Sequence, residues 1–248
     1  PADRILYDTV NTSMGITITR KIYAFTQQYH DNYYIYEYTF KNTGIVGEDE
    51  IYSQTLQDVI VSFLYRYAPT REVGAFGYYW LPQSVTWGHN TMLDTMHLTE
   101  NGSFSNFAQF AWHGLHSGAA FDNIGGPNGN GNGQLGAAQH VGVVTIHADN
   151  AANDPSHNPQ QPANTWFIQS DVSITQSNDQ FDGPKMTMEY NFMSSGHPNQ
   201  THAEYVGDGY ADKWALPGGT NPGGYSNHQA FGPYTLEPGE SIKVVLAE

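Results

Sequence analysis

Alternation with period two runs through the clearest stretches of this chain. Residues 14–25 place Ile16, Ile18, Ile22 and Ala24 on one side and Thr17, Thr19, Lys21 and Tyr23 on the other. That spacing predicts a half-buried β-strand. Residues 33–41 repeat it, with Tyr34, Tyr36, Tyr38 and Phe40 opposite Glu37, Thr39 and Lys41. The polar segment between the two reads as a long hairpin loop. Asn42-Thr43-Gly44 breaks the second strand, with a glycine available for positive φ. Residues 58–67, DVIVSFLYRY, are apolar on both sides and predict a central strand covered on both faces. Further strands are expected over 141–148, 165–175 and 185–193, the last because Met186, Met188, Tyr190 and Phe192 alternate with polar residues. Ile242, Val244 and Leu246 give a closing strand its inner face after the turn Leu236-Glu237-Pro238-Gly239. One segment has helical spacing instead: Phe104, Phe107, Ala108, Ala111 and Leu115, with Ser103 or Ser105 to cap it and Gly118 to end it.

The pattern predicts an all-β fold, a β-sandwich of immunoglobulin-like or jelly-roll type with long loop insertions and at most one or two short helices. With 248 residues the chain suits one sandwich domain spanning 1–248, with insertions near 68–140 and 194–230. Loops of that length are usually functional.

Composition narrows the setting. Charged residues are 13% of the chain, well below the usual ~25%. Aromatics reach 14%, enough burial to argue against disorder and in favour of strands. The formal net charge of −15, with no basic stripe, argues against nucleic acid and against anionic lipid as partners. The absence of cysteine removes disulfides, thiolate metal sites and cysteine nucleophiles. No apolar run approaches the ~20 residues of a membrane span, so no membrane insertion is expected. The chain starts at Pro1 without a signal-peptide pattern, which reads as a mature piece of a longer precursor or a bounded fragment.

Two segments, YYIYEYTFKNTG at 33–44 and FGPYTLEPGESIKVVLAE at 231–248, carry a resemblance. A strand ending in Asn-Thr-Gly, answered by Leu-x-Pro-Gly-Glu-Ser before a final strand, resembles immunoglobulin-like modules of uncharacterised secreted and surface proteins of Bacteroidetes-like bacteria. The resemblance covers the outer strands and leaves the middle unmatched. It implies a fold and an extracellular or cell-surface location, and no activity. It also implies O-glycan attachment at Asp-Ser/Thr followed by an apolar residue, a pattern met at Thr9 and Thr95.

Four constellations could carry chemistry. Asp149, Asn150, Asn153 and Asp154 fall in one expected loop, and Asp208 with Asp212 in a Gly-punctuated one. Clustered Asp and Asn oxygens suit a hard cation, so these are candidate Ca2+ ligands, although Asp and Asn are also ordinary turn residues. His113 and His116 have metal-ligand spacing but no HExxH context. Trp80, Trp87 and Trp112 are candidate sugar-stacking rings, or simply buried bulk. Glu37, Glu189 and Glu204 are the carboxylates a glycosidase reading would need. The chain has no nucleophile elbow, P-loop or dinucleotide fingerprint, and no catalytic residue is assigned.

The favoured expectation is therefore a non-enzymatic extracellular structural protein: a filament, sheath, surface-layer or adhesin-type subunit. Its partners would be copies of itself or other surface proteins, with glycans as further candidates. The closing strand, 242–247, is the expected donor to a neighbouring sheet. A carbohydrate-binding module is the alternative, and a polysaccharide-active enzyme the third.

Overall fold

A computed structural model describes residues 1–65, 67, 91–100, 104–113, 140–169, 181–206 and 225–248. Its strands are β1 (Arg4–Asn11), β2 (Ile16–Ala24), β3 (Ile35–Asn42), β4 (Leu56–Tyr65), β5 (Thr91–Glu100), β6 (Phe104–His113), β7 (His140–Ala151), β8 (Asp154–His157), β9 (Asn164–Gln169), β10 (Tyr225–Leu236) and β11 (Ser241–Ala247). Two helices, α1 (Gly183–Met193) and α2 (His202–Val206), complete the described elements.

The strands form two packed antiparallel sheets. The larger runs β1-β2-β3-β11-β7-β6-β5, with β8 pairing the far end of β7; the smaller runs β4-β10-β9. The expected all-β sandwich is what folds.

The core lies between the sheets. From the larger sheet come Ile16, Phe40, Val143, Ile242, Val244 and Leu246, and from the smaller Val61, Phe231, Tyr234 and Leu236. Ile242, Val244 and Leu246 are fully buried because β11 lies mid-sheet, pairing β3 on one side and β7 on the other. Each such side chain stabilises the fold by about 1.5–3 kcal/mol.

The two bracketing segments meet in space. Asn42 at the end of β3 receives the turn before β11: its N–H donates to Glu240 O at 2.9 Å, and its O accepts from Gly239 N at 2.8 Å. Its side-chain amide donates to Leu236 O at 2.9 Å and Gln54 O at 2.8 Å. Gly44 then takes φ +70°, and a Cβ there would lie 2.7 Å from Tyr52 O.

Four expectations are corrected. The helix over 104–115 is strand β6, hydrogen-bonded along its length to β5 and over 107–112 to β7. Its alternate residues face opposite sides and both sides are partly covered, so apolar residues fall at helical spacings by coincidence. The strand over 185–193 is instead helix α1. Asp182 caps it, accepting from Lys185 N at 3.1 Å, and Pro184 stands in its first turn. Those start signals outweigh the alternation. β4 is not central but terminal in the smaller sheet, with Leu64 facing outward and exposed. The closing strand cannot complement a neighbour, since both its edges are taken.

Candidate interaction surface

β1 stands at the edge of the larger sheet, and the smaller sheet does not reach over it. Ile5, Leu6, Tyr7 and Val10 are 60%, 57%, 63% and 56% exposed. Apolar side chains are therefore wet on both of its faces. The register with β2 pairs Leu6 with Ile22, Asp8 with Arg20 and Val10 with Ile18. Leu6, Asp8 and Val10 thus share the face that carries the core farther along the sheet, while Ile5, Tyr7 and Thr9 share the opposite face.

The backbone phase of the edge follows from the turn. Thr12 N donates to Ile16 O at 2.9 Å. In an antiparallel ladder this makes the even-numbered residues of β1 the hydrogen-bonded partners of β2. The N–H and C=O groups of Ile5, Tyr7, Thr9 and Asn11 then point away from the sheet. Among the described residues, no strand pairs with that outer edge.

Native edges are usually blunted with lysine, proline, bulges or a covering loop. β1 has neither lysine nor proline, and its pairing with β2 runs in unbroken register over eight residues. Its only charges are Arg4 and Asp8. Asp8 is held by the Arg20 guanidinium, which raises the arginine's already high pKa chiefly through their hydrogen bond. On the outer face of the sheet, Lys21 pairs with Glu37 at 2.8 Å, and Lys243 approaches the same carboxylate at 3.7 Å. Burial raises the Glu37 pKa, but its two lysines outweigh this and hold it below the ordinary value.

The other sequence-assigned residues fall as follows. Asp149 and Asn150 lie on β7 and Asp154 opens β8, so only Asn153 sits in the intervening turn; the expected single loop is a tight hairpin. The Asp149 carboxylate accepts from Lys243 N at 2.8 Å and meets His147 Nε2 at 2.7 Å. Asp154 accepts from the Asn150 amide at 2.8 Å and from Ser156 Oγ at 2.6 Å. Asn150 thus turns its N–H, not its oxygen, toward that carboxylate. Among the described residues, no three or more His, Cys, Asp or Glu are arranged to hold a metal ion.

Asp208, Asp212, Trp80, Trp87 and His116 lie outside the described residues. His113 ends β6. Trp112 is half-buried on β6, stacked on Phe110 at 5.7 Å between ring centroids. Thr9 is exposed on β1, whereas Thr95 is half-buried on β5 opposite Gln109. Glu189 approaches Lys185 at 3.9 Å on α1. Glu204 forms a capping box with Thr201, accepting from Thr201 N at 2.9 Å while its own N–H donates to Thr201 Oγ1 at 3.2 Å. Glu37, Glu189 and Glu204 therefore have separate structural partners.

Sequence reasoning missed β1 as a surface. Its signal was the run RILYDTV beside the Thr12–Gly15 turn, without alternation because neither face is fully buried.

No protein-family model, curated protein or solved structure matches the chain. Among the described residues, no helix is long and apolar enough to cross a membrane.

Proposed function

We propose that this chain is a non-catalytic, extracellular structural subunit that associates with copies of itself through β1. One observation carries the reading: an eight-residue edge strand whose outward backbone groups pair with no strand among the described residues and whose large apolar side chains are exposed on both faces. A second copy is the occupant its chemistry fits. An edge strand pairing antiparallel with its own copy forms a two-fold, self-complementary contact. That contact offers the hydrophobic side chains of each copy to the other and places Arg4 within reach of Asp8 across the axis. The low charge of the chain supports the same reading, since few ionised groups must be desolvated. The extracellular placement rests on the resemblance of residues 33–44 and 231–248 to bacterial surface proteins.

Multi-angle light scattering across a concentration series tests it. A lone strand pair is modest beside the roughly 1,200–2,000 Å² of a standard interface, so the expected behaviour is a reversible monomer–dimer equilibrium. Leu6→Lys places a charge on the paired face and is expected to leave only monomer with an unchanged circular dichroism spectrum. A wild-type chain that stays monomeric at the highest soluble concentration overturns the proposal.

A further inference from the structure

Far from β1, the two sheets part around a pocket of about 160 Å³. It lies between β5 and β6 of the larger sheet, β9 and β10 of the smaller, and the segment leading into α2. Its apolar walls are Leu93, Phe107 and Phe167.

Two side chains in this wall are unusual. Gln109 and Asn227 are only 1% and 2% exposed, and both line the pocket. Gln109 donates its amide N–H to His228 O at 3.0 Å, but its Oε1 accepts from no described residue. Asn227 Nδ2 likewise donates to none. A buried polar atom left unmatched is costly. Neither is an accident of a frayed end. Gln109 lies within β6, paired to both β5 and β7, and Asn227 lies within β10, paired to both β4 and β9.

The register also gives their direction. Asn227 stands opposite Tyr65 and Phe167, on the same face of the smaller sheet as Gln229 and Phe231. Gln109 shares a face of β6 with Phe107 and Ala111. Both amides therefore face the space between the sheets. Thr165 beside them already meets His197 Nδ1 at 2.7 Å, and His202 Nδ1 accepts from Leu93 N at 3.2 Å. Thr165, His197 and His202 are thus held in place around the two buried, unpartnered amide atoms.

We infer that this pocket binds a neutral sugar or polyol through Gln109 Oε1 and Asn227 Nδ2. One site offers an acceptor and the other a donor, and a hydroxyl group supplies both complements. An anion matches only the donor, and a simple ammonium only the acceptor. The volume equals that of roughly five waters in the liquid, which suits a single small ring rather than a drug-sized ligand. Phe107 and Phe167 provide apolar surface for the C–H face of such a ring. The site is distinct from the tryptophans that the sequence suggested for sugar stacking, and independent of the β1 edge.

Saturation-transfer NMR and titration calorimetry with glucose, galactose, mannose, fucose, N-acetylglucosamine and glycerol test the assignment. Transfer to the ring protons of at least one sugar is expected. Gln109→Met keeps the side-chain length and removes the acceptor; it is expected to weaken binding about tenfold, the equivalent of one lost hydrogen bond to a buried partner. Thr95→Phe extends a half-buried pocket wall into the space and is expected to abolish binding while the thermal unfolding transition remains cooperative. It keeps the test valid should Gln109→Met fail to fold. No transfer to any member of the panel overturns the inference, as does binding undiminished in Thr95→Phe.

Discussion

At the scale of single residues, His202 and His228 occupy the interior as neutral imidazoles. Burial pushes them down to about 3 and about 4, from an ordinary 6.5. His228 Nε2 meets Ser62 Oγ at 2.8 Å, and its ring lies 4.8 Å from that of Phe192 on α1. The unfolded chain takes up protons on both histidines below 6.5, and the folded chain does not. Their contribution to stability is therefore complete above 6.5 and is lost as pH falls through the window down to about 4 and then 3. Within that window the slope is about 1.4 kcal/mol per pH unit for each histidine. Glu248 opposes it. Burial raises its carboxyl although Tyr65 donates to it at 2.5 Å, so its share of stability is present at low pH and is lost as pH rises through its raised value. Urea unfolding across this range should show stability falling on acidification, and His228→Gln should remove about one proton's worth of the slope. A flat profile in the wild-type chain would contradict the buried neutral state.

At the scale of elements, the joint between β3 and the β10–β11 turn is cross-linked by Asn42. Asn42 serves three segments at once: its backbone holds residues 239–240, and its amide holds both the end of β10 and the loop before β4. Asn42→Ala should leave two carbonyls without their donors, at about 1–3 kcal/mol for each that stays dry. Gly44→Ala forces a Cβ toward Tyr52 O at a backbone angle of +70°, and about 1–3 kcal/mol is expected from that strain. Chemical denaturation of both variants checks these values; losses below a few tenths of a kcal/mol would mean the joint is not structural. This joint was legible in the sequence because NTG and LEPGES are turn chemistry, and turn chemistry is local. β11 was legible because Ile242, Val244 and Leu246 are buried while the residues between them are only half-buried, and β2 and β3 were legible because apolar and polar side chains alternate along them. β6 and α1 were not. β6 is covered on both sides and so loses its period, while α1 carries no fully buried residue, so its alternation recorded no packing. Its cap, Asp182 before Gly183-Pro184, was the better signal. The pocket was beyond sequence reading, because Gln109 and Asn227 are brought to it only by the packing of strands distant in the chain.

At the scale of the whole molecule, the edge chemistry of β1 fixes how two copies would meet. Outward-facing groups fall on odd residues, so an antiparallel pair of β1 strands must match odd with odd. Centring the two-fold axis on Asp8 opposes two carboxylates, which disfavours that register. Centring it on Leu6 sets Leu6 against its own copy, Ile5 against Tyr7, and Arg4 against Asp8, so that these apolar side chains meet one another and Arg4 meets an opposite charge. The natural chain contains no cysteine, so a single introduced one reports the register without background. Across a non-hydrogen-bonded pair the Cα atoms lie about 4.5 Å apart, inside the range a disulfide spans. Leu6→Cys is therefore expected to give a covalent dimer under mild oxidation. Thr9→Cys, which in this register faces Asp3 of the second copy, should remain monomeric on a non-reducing gel. Preferential coupling through Tyr7→Cys would move the axis by one residue and place Arg4 opposite Val10, discarding the charge pairing. Coupling at none of the three positions would exclude the registers centred on Leu6, Tyr7 and Thr9, and with the first of these the charge-matched pairing of β1.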